Sequence, residues 1–116
     1  MSDIPLPPVP QYLREALKDY PELIQKVQER LNNALLKPFR GTEPLDEAIW
    51  AIEGTLDPAY VKANEDLEAT EQTGDAQAIE KARQKMLVLL KARNKSRWIG
   101  DEALGNYLQD YKAALQ

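Results

Sequence analysis

The sequence predicts an all-α protein, a small helical bundle of five to six helices, and three observations carry that prediction. Apolar residues recur at spacings of three and four in successive segments. The breaks between segments are helix caps and prolines rather than hairpin turns. Strand-like alternation of apolar and polar residues is absent.

The elements follow in order. A proline-rich strap over residues 1–9, with Pro5 to Pro8 and Pro7 to Pro10 as overlapping P-x-x-P spacings, favours polyproline II geometry. It is read as a stiff strap packing Ile4, Leu6 and Val9 on the bundle, with recognition by an aromatic groove as the alternative. A single helical domain over 10–116 follows. A first short helix spans about 10–19, with Leu13, Ala16, Leu17 and Tyr20 on one side. Pro21 fits the first turn of a second helix, where its missing N–H costs nothing. Leu23, Ile24, Val27, Leu31, Ala34 and Leu35 form that helix's stripe.

Pro38 and Gly41 mark a loop, and Thr42 is placed to cap a third helix from about Pro44 to Leu56. Asp57-Pro58 reads as a restart, an N-cap acceptor followed by proline at the first helical position. The resulting fourth helix, 58–73, ends before Gly74, which suits a left-handed turn. Asp75 then caps a fifth helix, 76–97, and the short turn makes the two an antiparallel hairpin. Gly100-Asp101 opens a last helix with Leu104, Tyr107, Leu108, Tyr111 and Leu115 on one stripe.

Composition narrows the functional classes. With 43% hydrophobic and 29% charged residues, the 116-residue chain has the proportions of one folded domain. There is no cysteine to form a disulfide or act as a nucleophile. There is no histidine, the side chain most used for acid-base work near neutral pH. The amino-terminal segment lacks the pattern of a signal peptide, and the longest apolar run, Met86 to Leu90, is too short to cross a bilayer. These features point to a soluble cytoplasmic protein with no membrane contact, no catalytic residues, no cofactor and no metal.

The net charge of -4 conceals segregation along the chain. Residues 41–80 carry Glu43, Asp46, Glu47, Glu53, Asp57, Glu65, Asp66, Glu68, Glu71, Asp75 and Glu80 against Lys62 alone. Residues 81–97 carry Lys81, Arg83, Lys85, Lys91, Arg93, Lys95 and Arg97 and no acid. Plotted at about 100° per residue, the fifth helix puts Ile79, Ala82, Met86, Leu89 and Leu90 on one side. Lys81, Lys85, Lys91 and Lys95 fall opposite, with Val88 among them and Leu87 at the margin. That basic side either meets phosphates or an acidic partner, or is neutralised across the hairpin by Glu65, Asp66, Glu68 and Glu71 near the turn and by Asp57 farther away.

Arg93 and Arg97 continue the apolar stripe, with Trp98 next to them. They form either a guanidinium pair beside an aromatic ring, suited to an anion, or an ordinary solvated helix end. Trp50 lies off its helix stripe, and it and Trp98 are each either buried packing residues or exposed anchors. The candidate binding residues are therefore Arg93, Arg97, Trp98, Trp50, Lys91, Lys95 and Val88.

The leading expectation is a helical interaction protein, an adaptor, inhibitor, immunity or chaperone-like regulator, that binds another protein or itself. The alternative is a nucleic-acid-associated protein using 81–97. A third reading is an Mg²⁺-dependent hydrolase built on Glu65, Asp66, Glu68 and Glu71, which needs a second helix with matching carboxylates that 81–97 lacks.

Overall fold

The computed structural model describes residues 6–36 and 43–114, with side chains through residue 110. Among these residues it is an all-α bundle of five α-helices and one 3₁₀ turn: α1 (Gln11–Ala16), α2 (Pro21–Leu35), α3 (Pro44–Glu71), α4 (Ala76–Ala92), the turn Lys95–Arg97, and α5 (Glu102–Ala114). The predicted loop at 37–41, the Thr42 cap, Ile4, Pro5 and Leu115 lie outside the described residues, as does the Tyr111 side chain.

Helix α2 follows its sequence pattern closely. Pro21 occupies the first turn, and Leu23, Val27, Leu31 and Leu35, at spacings of four, are buried. These leucines and Val27 meet Ala48, Ile52 and Leu56 of α3 in one core that also takes in Leu13, Leu17, Leu89, Trp98 and Leu104. Arg30 of α2 crosses α3 at Gly54, where an added Cβ would stand 3.3 Å from the guanidinium. The missing side chain there permits the close approach.

The predicted break at Asp57-Pro58 does not form. Residues 44–71 make one 28-residue helix with Pro58 inside it, about 42 Å long at 1.5 Å per residue. Apolar and small residues continue the buried side through the proline, from Ile52, Thr55 and Leu56 to Ala63 and Leu67. Packing against both neighbouring helices outweighs the local penalty of an interior proline.

The hairpin itself forms as predicted, with different limits. Gly74 takes φ 73°, and the Asp75 carboxylate accepts hydrogen bonds from the backbone N–H groups of Gln77 and Ala78. Helix α4 ends at Ala92 rather than residue 97. The cause is Asn94, whose side-chain oxygen accepts from the Ser96 N–H at 3.2 Å and starts the 3₁₀ turn. Asp101 then joins distant parts of the chain. One carboxylate oxygen accepts from the Leu104 N–H at the head of α5, and the other accepts from the Gln11 N–H at the head of α1.

The strap is only partly as expected. Pro7, Val9 and Pro10 are buried, and Gln28 donates to the Pro7 carbonyl at 2.7 Å. Leu6 instead faces solvent, 60% exposed.

Helix α2 begins beside the Pro58–Lys62 stretch of α3, and Asp19 and Tyr20 reach as far as Asp66 of α3 and Ala78 of α4, so beyond that level the α3/α4 hairpin projects from the bundle. Leu67 is the one buried residue among 64–81. The molecule is correspondingly elongated, 58 × 26 × 23 Å.

Candidate functional site

The outward side of the hairpin is organised around one ion pair. Arg93 Nε donates to Asp57 Oδ1 at 2.9 Å, and its guanidinium lies 4.4 Å from the centre of the Tyr60 ring. Both partners are partly solvated, so each contact is worth about 0.5–1 kcal/mol. A double-mutant cycle on Asp57→Asn and Arg93→Met, read by urea unfolding, is expected to give a coupling of about 0.5–1 kcal/mol that shrinks in high salt. Additive effects of the two substitutions would mean that the pair contributes nothing.

Because α3 and α4 are antiparallel, the pair fixes their register. Val61 lies one turn beyond Asp57 toward the hairpin tip, and Leu90 lies one turn beyond Arg93 in the same direction. Both are solvent-facing, with exposures of 53% and 45%; Leu87 at 43% follows on α4, and Trp50 at 59% lies two turns the other way on α3. Thus four of the large exposed apolar side chains share one side of the hairpin. Trp50 also forms the rim of a trough of about 620 Å³ between α2 and α3, with Lys26, Arg30, Glu29, Asn33 and Glu47.

The structure separates the predicted site residues rather than gathering them. Trp50 is exposed. Trp98 is buried in the core, with its indole N–H donating to the Ala92 carbonyl at 2.9 Å. Arg93 is engaged by Asp57 and Tyr60, whereas Arg97 is exposed in the 3₁₀ turn, so no guanidinium pair forms beside Trp98. The end of α4 at Ala92 breaks the register that would have aligned the two arginines.

Val88 and Leu90 exchange the places read from the helical projection. Val88 is half-buried against the core, and Leu90 is exposed. Helix α4 packs on α1 as well as α3, and covering both turns its buried side toward Lys85 and Ala92. Periodicity set Leu87 at the margin of the basic side, in keeping with its exposure, but did not reveal the exposed Leu90, because nothing in the sequence announces the contact with α1.

Of the two readings of the basic side, neutralisation across the hairpin near the turn forms no ion pair among the described residues. Arg83 bonds Glu80 of its own helix at 3.2 Å, Lys62 bonds Asp66 of its own helix at 3.4 Å, and Lys85 stands 5.4 Å from the Tyr20 ring centre. Burial pushes the Tyr20 hydroxyl above its ordinary value of 10.0, with the Asp19 and Glu22 carboxylates adding to the shift. Among the described residues, Lys81, Lys91, Lys95 and Arg97 form no ion pair. Glu65, Asp66, Glu68 and Glu71 are not brought into a metal-binding group, and no such group occurs among the described residues. No helix there is long and apolar enough to cross a membrane.

Fold and surface together define a small, cysteine-free, all-α bundle with a projecting hairpin whose outward side mixes apolar and charged residues. No protein-family model matches the chain, and no curated protein and no solved structure matches it either.

Proposed function

We propose that the chain works by binding another protein through the outward side of the α3/α4 hairpin. The observation that carries this reading is the placement of Trp50, Val61, Leu87 and Leu90, large apolar side chains left in solvent on one side of the hairpin. Single exposed apolar residues are ordinary, but several on one face mark interaction surfaces. An exposed tryptophan and an exposed arginine are residue types enriched in interfaces, and here Trp50 and Arg83 share the face with exposed leucines. The reading assigns the chain no catalytic step.

The test is affinity capture with the full chain as bait, followed by direct binding measurements with each recovered and identified protein. Binding is expected to weaken at least about tenfold in a Leu87→Glu, Leu90→Glu double variant, since desolvating each leucine contributes about 1.5–3 kcal/mol. An interaction unaffected by that variant and by Trp50→Ala would remove this face from consideration.

A second reading has its own observation in Lys81, Lys91, Lys95 and Arg97, which form no ion pair among the described residues. If they meet nucleic-acid phosphates, affinity falls steeply with salt and drops on replacing Lys91 and Lys95 together by alanine. No binding at low ionic strength would dismiss it.

A further inference from the structure

We propose that the occupant of the outward hairpin face is a second copy of this chain, docked about a two-fold axis parallel to the hairpin, so that α3 of each protomer lies over α4 of the other. The inference rests on the protein-binding reading and narrows it to one partner and one arrangement.

Spacing supplies the first argument. Along α3 the outward positions Trp50, Gly54, Asp57, Val61, Asn64 and Glu68 alternate steps of four and three, and on α4 Arg83, Leu87 and Leu90 do the same. This is the spacing with which helices pair along a seam of interdigitating side chains. The two stripes differ in bulk. The α4 stripe presents two leucines, whereas the α3 stripe offers Val61 between Asp57 and Asn64, a seat for larger side chains from elsewhere.

Register supplies the second. Measured from the Asp57 and Arg93 pair at about 1.5 Å per residue, Val61 stands about 6 Å toward the tip, Leu90 about 4.5 Å and Leu87 about 9 Å. A two-fold axis parallel to the hairpin preserves height along it, so Val61 seats between the partner's Leu87 and the partner's Leu90. Glu68 stands about 16.5 Å along and Arg83 about 15 Å, so the same operation sets Glu68 against the partner's Arg83.

Charge chooses between the possible axes. Toward the tip, the outward edge of α3 carries the exposed Glu65 and Glu68, and that of α4 carries Arg83 and Lys91, with Glu80 held by Arg83. An axis parallel to the hairpin lays acidic edge on basic edge twice, once for each protomer. An axis across it lays α3 on α3 and opposes carboxylates, an arrangement that like-charge repulsion disfavours.

Sedimentation velocity on the full chain, from low to high micromolar concentration, is expected to show a concentration-dependent dimer. Leu87→Glu with Leu90→Glu is expected to raise the dimer dissociation constant at least about tenfold. Glu68→Lys and Arg83→Glu are each expected to raise it about two- to fivefold, and the two together to restore it. All these positions are solvent-exposed, and circular dichroism checks that each variant stays folded.

The absence of native cysteine allows the geometry to be tested directly. A mixture of Val61→Cys and Leu87→Cys chains is expected to form a disulfide-linked dimer under mild oxidation, whereas neither variant does so alone. A wild-type monomer throughout the range, a dimer indifferent to the leucine substitutions, or cross-linking of Val61→Cys with itself would each overturn the proposal. A strictly monomeric chain that still binds an identified protein in a Leu87- and Leu90-dependent way would leave the binding reading standing and remove this inference alone.

Discussion

Replacing Trp98 by alanine is expected to lower the unfolding free energy by about 3–5 kcal/mol, the cost of emptying a well-packed aromatic site. The indole is 1% exposed and packs in the cluster shared by Leu13, Leu17, Leu89 and Leu104. Its loss therefore loosens α1, α4 and α5 together. The indole N–H also satisfies the carbonyl of the buried Ala92 at the end of α4. Truncation leaves that acceptor without its donor, a penalty separate from the cavity. Trp98→Phe retains most of the ring volume and is expected to cost about 1–2 kcal/mol, chiefly through the lost hydrogen bond. For a domain stable by about 5–15 kcal/mol, the alanine variant should show a large fall in its urea midpoint with little change in slope. A loss below about 1 kcal/mol would contradict the placement of Trp98 in the core.

Pro58→Ala is expected to act in the opposite direction and stabilise the protein by about 1–3 kcal/mol. A proline inside a helix lacks the N–H that would bond the carbonyl four residues earlier, here that of Gly54, and its ring crowds that carbonyl. Pro58 is itself exposed, so alanine there sacrifices little packing. The gain is reduced by about 0.4–1 kcal/mol because alanine leaves the unfolded chain freer than proline does. Urea unfolding measures the balance. A destabilised Pro58→Ala variant would show that the proline sets a local geometry on which the α2 contacts depend.

How far the sequence revealed this molecule is best judged residue by residue. The buried stripe of α2, the first-turn Pro21, the Asp75 cap, the left-handed Gly74 turn and the hairpin were all legible, because each depends on residues close in sequence. Asp57-Pro58 misled for the same reason. Its local preference for a helix start is real, but the continuous buried side from Ala48 to Leu67 overrides it. The stop at Asn94 was legible in principle, since Asn94 and Ser96 have the spacing of a side-chain cap, yet the helix formers Ala92, Arg93 and Lys95 beside it obscured it.

The surface was harder to read. A helical projection orders side chains around an axis but does not say which neighbours the helix touches. Two packing partners turned α4 enough to bury part of Val88 and expose Leu90. Arg93 looked like half of an anion site until Asp57 and Tyr60, 36 and 33 residues earlier in the numbering, closed around it. The hairpin reading already set Asp57 near the far half of the basic segment, but which of Lys91, Arg93, Lys95 and Arg97 it engages depends on tertiary register, which periodicity does not encode.

The unequal surroundings of the two tryptophans make the unlabelled protein its own optical instrument. Trp98 sits in an apolar interior and Trp50 in water, and the chain has no third indole to blur them. Native emission is the sum of a blue, shielded component and a red one accessible to soluble quenchers such as iodide. Unfolding shifts the first and leaves the second nearly where it was. Covering the trough beside α2 does the reverse, so loss of structure and occupation of that surface can be followed separately in a single sample.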